Sequence, residues 1–159
     1  MEESKLELIP RQKIENVVCA NVEIAEVEEM LELAKRMIQF CAETGGIGLA
    51  APQIGVFKKL IVWNTKENIF QVGFNPIYFL KEKKTTHTIE ACLSYPGEKY
   101  YLERYKYIKT VYEVPSKDKT ELVKIYKAVR DEEAIVFQHE ADHVYGKTIA
   151  TKGKMVYKE

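Results

Sequence analysis

Asp131-Glu132-Glu133-Ala134-Ile135-Val136-Phe137-Gln138-His139-Glu140-Ala141-Asp142-His143-Val144-Tyr145 is the stretch that decides the fold. Asp131 is a good N-cap, and Glu132 and Glu133 put negative charge in the first turn of a helix. Gly146 stops it after Tyr145. Inside it, His139-Glu140-Ala141-Asp142-His143 is an HExxH pattern. Two histidines four apart lie one above the other on a helix, so their imidazoles can share one metal ion. Glu140 is offset around the helix; it is badly placed as a third ligand beside both and well placed to take a proton from a water near the metal. Ile135 and Val136, one turn earlier, give this face an apolar flank, which argues against two histidines on a solvated face.

Two ligands do not complete a site. Downstream of His143 there is no further histidine, and Glu159 is the sole carboxylate. The third ligand is therefore expected upstream, and Cys92 in Glu90-Ala91-Cys92-Leu93-Ser94 stands out, held just before the turn-forming Pro96-Gly97. Cys41 falls on the apolar face of an earlier helix and Cys19 in a Val-Val-Cys-Ala run, so both read as core residues. His87 reads as a loop residue.

Outward from these segments, Ile24, Val27, Leu31, Ala34, Ile38 and Cys41 recur at helical spacing between about Val22 and Glu43, with Gly45 and Gly46 to end the helix. Short β-type runs follow at Lys59–Trp63, Phe70–Phe74, Ile77–Leu80, Lys99–Glu103, Tyr107–Glu113 and Leu122–Ala128, the last two flanking the turn cluster Pro115–Lys119. Thr148–Thr151 favours a short strand over a helix, and Gly153 would interrupt a helix. The expectation is an α+β fold in a single domain, 1–159, with an early helix and a late, metal-binding one.

Apolar residues make up 46% of the 159, enough for a core at this length. Charge is balanced at 24 basic and 24 acidic residues, so no global field steers DNA or an anionic membrane toward the chain. The first 18 residues have neither signal- nor transit-peptide character, and no run approaches the roughly 20 apolar residues of a membrane span. Three widely spaced cysteines without a CxxC pair do not suggest a disulfide scaffold. A cytoplasmic, monomeric protein is expected.

Three segments together resemble the peptide deformylase family. Its GxGxAAxQ motif is matched by Gly46-Ile47-Gly48-Leu49-Ala50-Ala51-Pro52-Gln53, its EGCxS motif by Glu90–Ser94 with Ala91 in place of glycine, and its QHExDH motif by Gln138–His143. The resemblance implies antiparallel sheets around a central HExxH helix, and removal of the formyl group from N-terminal formylmethionine of nascent polypeptides with release of formate. It implies Cys92, His139 and His143 as metal ligands and Glu140 as general acid/base. The Gln53 side-chain amide and the Leu93 backbone N–H would form the oxyanion hole, a placement whose donors can each contribute roughly 3 kcal/mol. Substrate would lie along Ile47, Gly48, Glu90, Ala91, Ile135 and Val136, with Gly46 and Gly48 allowing close backbone approach. The implied metal is Fe(II), with zinc or nickel as substitutes, and an ion pair between Arg104 and Asp142 is implied beside it. Two departures follow: Ala91 adds a methyl group close to the peptide track, and Glu132, seven residues before His139, stands where members usually carry an apolar residue near the methionine pocket, either altering the pocket floor or facing water at the helix start. The chain also ends soon after the metal helix, as short phage-type members do, which implies at most weak, salt-sensitive ribosome association through Lys147, Lys152, Lys154 and Lys158. A general zinc peptidase would need the helix but neither Gln53 nor the Glu90–Ser94 motif.

Overall fold

The computed structural model describes residues 5–159; the first four residues of the N-terminal segment read above as non-targeting lie outside it. Helix α1 (Val27–Thr44) begins later than the periodicity predicts, because Ile24–Glu26 forms a 3-10 turn whose start is closed by the Glu23 N–H donating to the Glu26 side chain. It ends at Gly45, which takes the left-handed conformation (φ 75°) that glycine adopts without a Cβ penalty. Between Gly46 and Gly55 the chain forms strand β1 (Gly48–Ala50) and a 3-10 turn over Ala51–Ile54.

Strands β2 (Leu60–Asn64), β3 (Phe70–Leu80), β6 (Tyr107–Pro115) and β7 (Leu122–Arg130) join β1 in a five-stranded antiparallel sheet, order β1-β2-β3-β6-β7. The runs read separately at Phe70–Phe74 and Ile77–Leu80 are one strand, interrupted by a bulge at Asn75-Pro76. Pro76 has no N–H for the ladder, and Asn75, at φ 52°, turns its side chain to exchange hydrogen bonds with the Val22 backbone. A second sheet, order β4-β5-β8, holds β4 (Thr85–Glu90), β5 (Glu98–Tyr105) and β8 (Lys154–Lys158). His87, expected in a loop, sits in β4, because Thr85–Glu90 pairs residue for residue with β5; its ring stacks on Tyr101 at 5.1 Å.

Helix α2 (Asp131–Val144) lies between the two sheets. Its N-cap position is Arg130, not Asp131, which is the first helical residue and carries a positive φ of 56°. After Gly146, Ile149–Lys152 forms one helical turn, α3, where a strand was expected. The reason is local: the Thr148 hydroxyl accepts from the N–H groups of Ala150 and Thr151, and this capping outweighs the β-propensity of a four-residue stretch. Gly153 ends that turn, and the strand forms just beyond it as β8.

The alternation of β2 explains the layering. Ile61 and Trp63 pack on one face against Phe137, Ala141 and Val144 of α2, with Trp63 edge-on to Tyr112 and Phe137 at 5.1 Å each. Leu60 and Val62 pack on the other against Val27, Met30, Ala34, Met37 and Cys41 of α1. The rest of α2 faces the second sheet and β1, and there it buries Gln138, Glu140, Asp142 and His143. Burying polar groups in a helix is costly unless they find partners; those of Gln138 and Asp142 frame the site, while Glu140 keeps an oxygen without one among the described residues.

Candidate metal centre

Helical period brings His139 and His143 to one face of α2, their rings 5.1 Å apart. Cys92 comes to them from the turn after β4, its backbone carbonyl accepting from the Tyr95 N–H. One ligand atom from each of Cys92, His139 and His143 lies within 4.8 Å of the others. The Cys92 Sγ is 3.6 Å from His143 Nε2. Glu90 Oε1 lies 2.9 Å from His139 Nδ1, which leaves Nε2 to face the thiol.

Glu90 is itself gripped: Arg104 donates to both its oxygens at 2.9 Å, and Thr88 donates a further hydrogen bond. Arg104, fully buried, also donates to Asp142 at 2.7 Å, and Asp142 accepts from Tyr78 and Lys152 as well. The Arg104–Asp142 pair is therefore present, but Arg104 is bidentate to Glu90, a partner the sequence reading did not assign. Burial by itself would raise the Glu90 carboxyl; His139 and Arg104 outweigh that and hold it well below the usual carboxylate range. Glu90, expected on the substrate track, does line the cleft, but its oxygens are spent on His139 and Arg104.

The electrostatics favour positive charge at His139. Burial works against a protonated His139, yet Glu140, Cys92 and Glu90 raise its basicity well above normal. His143 is held neutral by burial and by the charges of His139 and Arg104. A soft thiol, two imidazoles and converging negative groups are the donor set of a divalent transition metal, so the residues fit one. The other two cysteines do not compete: burial pushes the Cys19 thiol up to about 11 and the Cys41 thiol up to about 12, away from the thiolate a metal needs.

Glu140 is buried, its Oε1 has no hydrogen-bond partner among the described residues, and burial pushes its carboxyl up to about 7. Gly48 packs against it so closely that a Cβ there would collide with the carboxylate. The glycine thus makes room for Glu140, in addition to the approach of a peptide expected from the sequence. Gln53 is fixed at both ends of its amide: Oε1 accepts from the Ala50 N–H at 2.9 Å, and Nε2 donates to Ser94 Oγ at 3.0 Å, 3.5 Å from Cys92 Sγ. Ser94 was not singled out from sequence, although its place two residues after Cys92 was the available signal. The Leu93 N–H donates to no acceptor among the described residues.

A cleft of about 860 Å³ opens onto these groups and is lined by all of Ile47, Gly48, Glu90, Ala91, Ile135 and Val136. It also has Leu93, His139 and Glu140 on its wall. Ile47 is 58% exposed there, and Glu132 is exposed on the same wall. His87 takes no part in the ligand cluster.

A family profile described as polypeptide deformylase matches residues 8–158. The chain belongs to the polypeptide deformylase family. It is 34% identical over 131 residues to the peptide deformylase of Fusobacterium nucleatum, covering 81% of this chain and 72% of that one. It is 34% identical over 139 residues to that of Desulforudis audaxviator, 86% of each chain. Among solved structures it is similar to a class I type b peptide deformylase from Acinetobacter baumannii, with a TM-score of 0.82, 27% identity, and 94% and 100% of the two chains covered. A probable peptide deformylase from a Synechococcus phage gives 0.79 at 29% identity, with 92% and 99% covered. The family is one of metal-dependent hydrolases that remove the N-formyl group from N-terminal methionine, and the antiparallel sheets with intervening helices are its fold.

Proposed function

We propose that this chain deformylates N-formylmethionyl peptides in the cytoplasm, with Cys92, His139 and His143 holding Fe(II) and Glu140 moving the proton. The observation that carries the reading is the meeting of those three ligands beside a cleft that Cys92, His139, Glu140 and Gln53 all line. Zinc or nickel suits the same donors and can replace iron. The metal, when bound, supplies Lewis-acid chemistry, polarising a carbonyl and acidifying water.

The rest follows from the chain's own groups. Strand β1 is one edge of the five-stranded sheet and β4 one edge of the other, and both border the cleft. An extended peptide can add to such edges by main-chain hydrogen bonds, with Ile135 and Val136 offering an apolar wall to the methionine side chain. Water adds to the formamide carbon, and the oxygen that gains negative charge there is met by Gln53 Nε2 and the Leu93 N–H. Gln53 is rigid because both ends of its amide are bonded, so little reorganisation is needed as charge develops. Glu140 accepts a proton from the attacking water. It then gives one to the departing amine nitrogen as the C–N bond breaks, leaving formate and a free methionyl N-terminus. Burial raises this carboxyl above its ordinary range, which favours its acting as both acceptor and donor.

The direct experiment pairs metal analysis of protein purified without oxygen with formate release from formyl-Met-Ala-Ser. About one equivalent of iron and rapid formate release are expected. Equal cleavage of unformylated peptides, or metal-replete protein that releases no formate, would overturn the reading.

A further inference from the structure

The charged side chains on the cleft wall are Lys66, Glu90, Glu132, His139 and Glu140. Glu90, His139 and Glu140 belong to the metal centre. Glu132 and Lys66 make no ion pair or hydrogen bond among the described residues. Glu132 precedes Ile135, Val136 and His139 by three, four and seven positions, so all four share one stripe of α2, and all four line the cleft. Along that stripe a ligand meets a carboxylate, then an apolar pair, then the metal ligand.

The spacing assigns a place in the substrate. Seven residues of helix rise about 10 Å, and an extended peptide advances about 3.3 Å per residue. For a peptide that follows this stripe with its formyl group at His139, Glu132 stands roughly three residues further out. A purely structural reason for Glu132 would be its place at the helix N-terminus, where negative charge is favourable. Asp131 and Glu133 already provide that charge, and Glu133 leans on Lys127 at 3.9 Å. Of the three acids only Glu132 faces the cleft.

We infer that Glu132 is a specificity-determining residue that favours formylmethionyl peptides carrying lysine or arginine at the second or third residue. The inference rests on the deformylase reading above. A partly exposed pair of this kind is worth about 1.5- to 5-fold in affinity and weakens as salt screens it. Lys66, in the turn between β2 and β3, is the other unpaired charge on the wall and serves as the comparison.

The test measures formate release from formyl-Met peptides with Lys, Gln or Glu at position two and, separately, at position three. The deformylated products are titrated in parallel by calorimetry. At one of these positions kcat/KM is expected to rank Lys above Gln above Glu, the differences residing in KM, and product affinities should follow the same order. The ranking should collapse at 1 M salt and vanish in Glu132→Gln, while Lys66→Gln keeps Lys ahead of Glu. Formate released equally from all peptides, or an unchanged ranking in Glu132→Gln, would overturn the inference while leaving the deformylase reading intact. No formate from the neutral Gln peptides would bring down both.

Discussion

At Glu140 two observations agree: the carboxylate has a buried oxygen without a partner, and Gly48 is pressed against it. The part proposed for it is proton transfer and not ligation, so Glu140→Gln should keep near-stoichiometric metal while formate release falls by on the order of a hundredfold or more. Metal analysis beside the rate separates this from a lost site; undiminished turnover would remove Glu140 from the chemistry. Gly48→Ala should do similar harm to the rate with metal retained, since the methyl group must displace the carboxylate. The three cysteines separate just as sharply. Cys92→Ala should empty the site, whereas Cys41→Ala, made deep in the α1 core with its thiol pushed up to about 12, should keep the metal and lose only stability. An empty site in Cys41→Ala with a full one in Cys92→Ala would reverse the ligand assignment.

At the scale of elements, α2 is held in place by charge. Arg104 on β5 ties Glu90 on β4 to Asp142 on α2, and Lys152 on α3 adds a second cation to Asp142. Removing the centre of a buried ionic network leaves its partners uncompensated, which typically costs about 3–5 kcal/mol. Arg104→Met should therefore lower the urea midpoint strongly and weaken metal binding, because Glu90 no longer steadies His139. A variant with wild-type stability and metal affinity would show that the network holds nothing. The short turn α3 makes a milder case. Thr148 caps it, and its hydroxyl also donates to the oxygen of the buried Tyr95 hydroxyl, 2.8 Å away, whose own hydrogen goes to Glu15, so Thr148→Ala should cost about 1–2 kcal/mol in denaturant unfolding with turnover on short peptides preserved.

For the whole molecule, a metal that binds only the folded chain stabilises it by mass action, about 2.7 kcal/mol at a hundredfold excess over Kd. Chelation should thus lower Tm by roughly 5–10 °C in a chain of this length; an unchanged Tm would argue that no metal is bound by the folded site. The tail supplies another test. Its last described element is strand β8, hydrogen-bonded into the three-stranded sheet beside β5, and not a free helix. With residues 154–158 seated in the sheet beside β5, ample activity on short formyl-Met peptides is expected without tight ribosome docking through this tail. Stoichiometric co-sedimentation with ribosomes at physiological salt, lost on removing residues 147–159, would contradict that.

The sequence by itself determined whatever depends on short-range periodicity and residue chemistry. The four-residue spacing of His139 and His143, the thiol supply at Cys92, the helix stop at Gly45 and the strands around Trp63 are all written within a few residues of where they act. Where several local preferences compete, as at Thr148–Lys152, the sequence was misread, because a hydroxyl cap outweighed β-propensity in so short a piece. His87 was missed as a strand residue for a related reason: its place in β4 depends on pairing with β5. Only the tertiary structure decided the partners. Glu90 reaches His139 across 49 positions, Gln53 reaches Ser94 across 41, and Arg104 reaches Asp142 across 38. No local rule encodes such pairs. They exist because two sheets close on α2, and a polar face buried there is stable only when most of its charges and amides find partners from distant strands, Glu140 being the one carboxylate left with a free oxygen among the described residues.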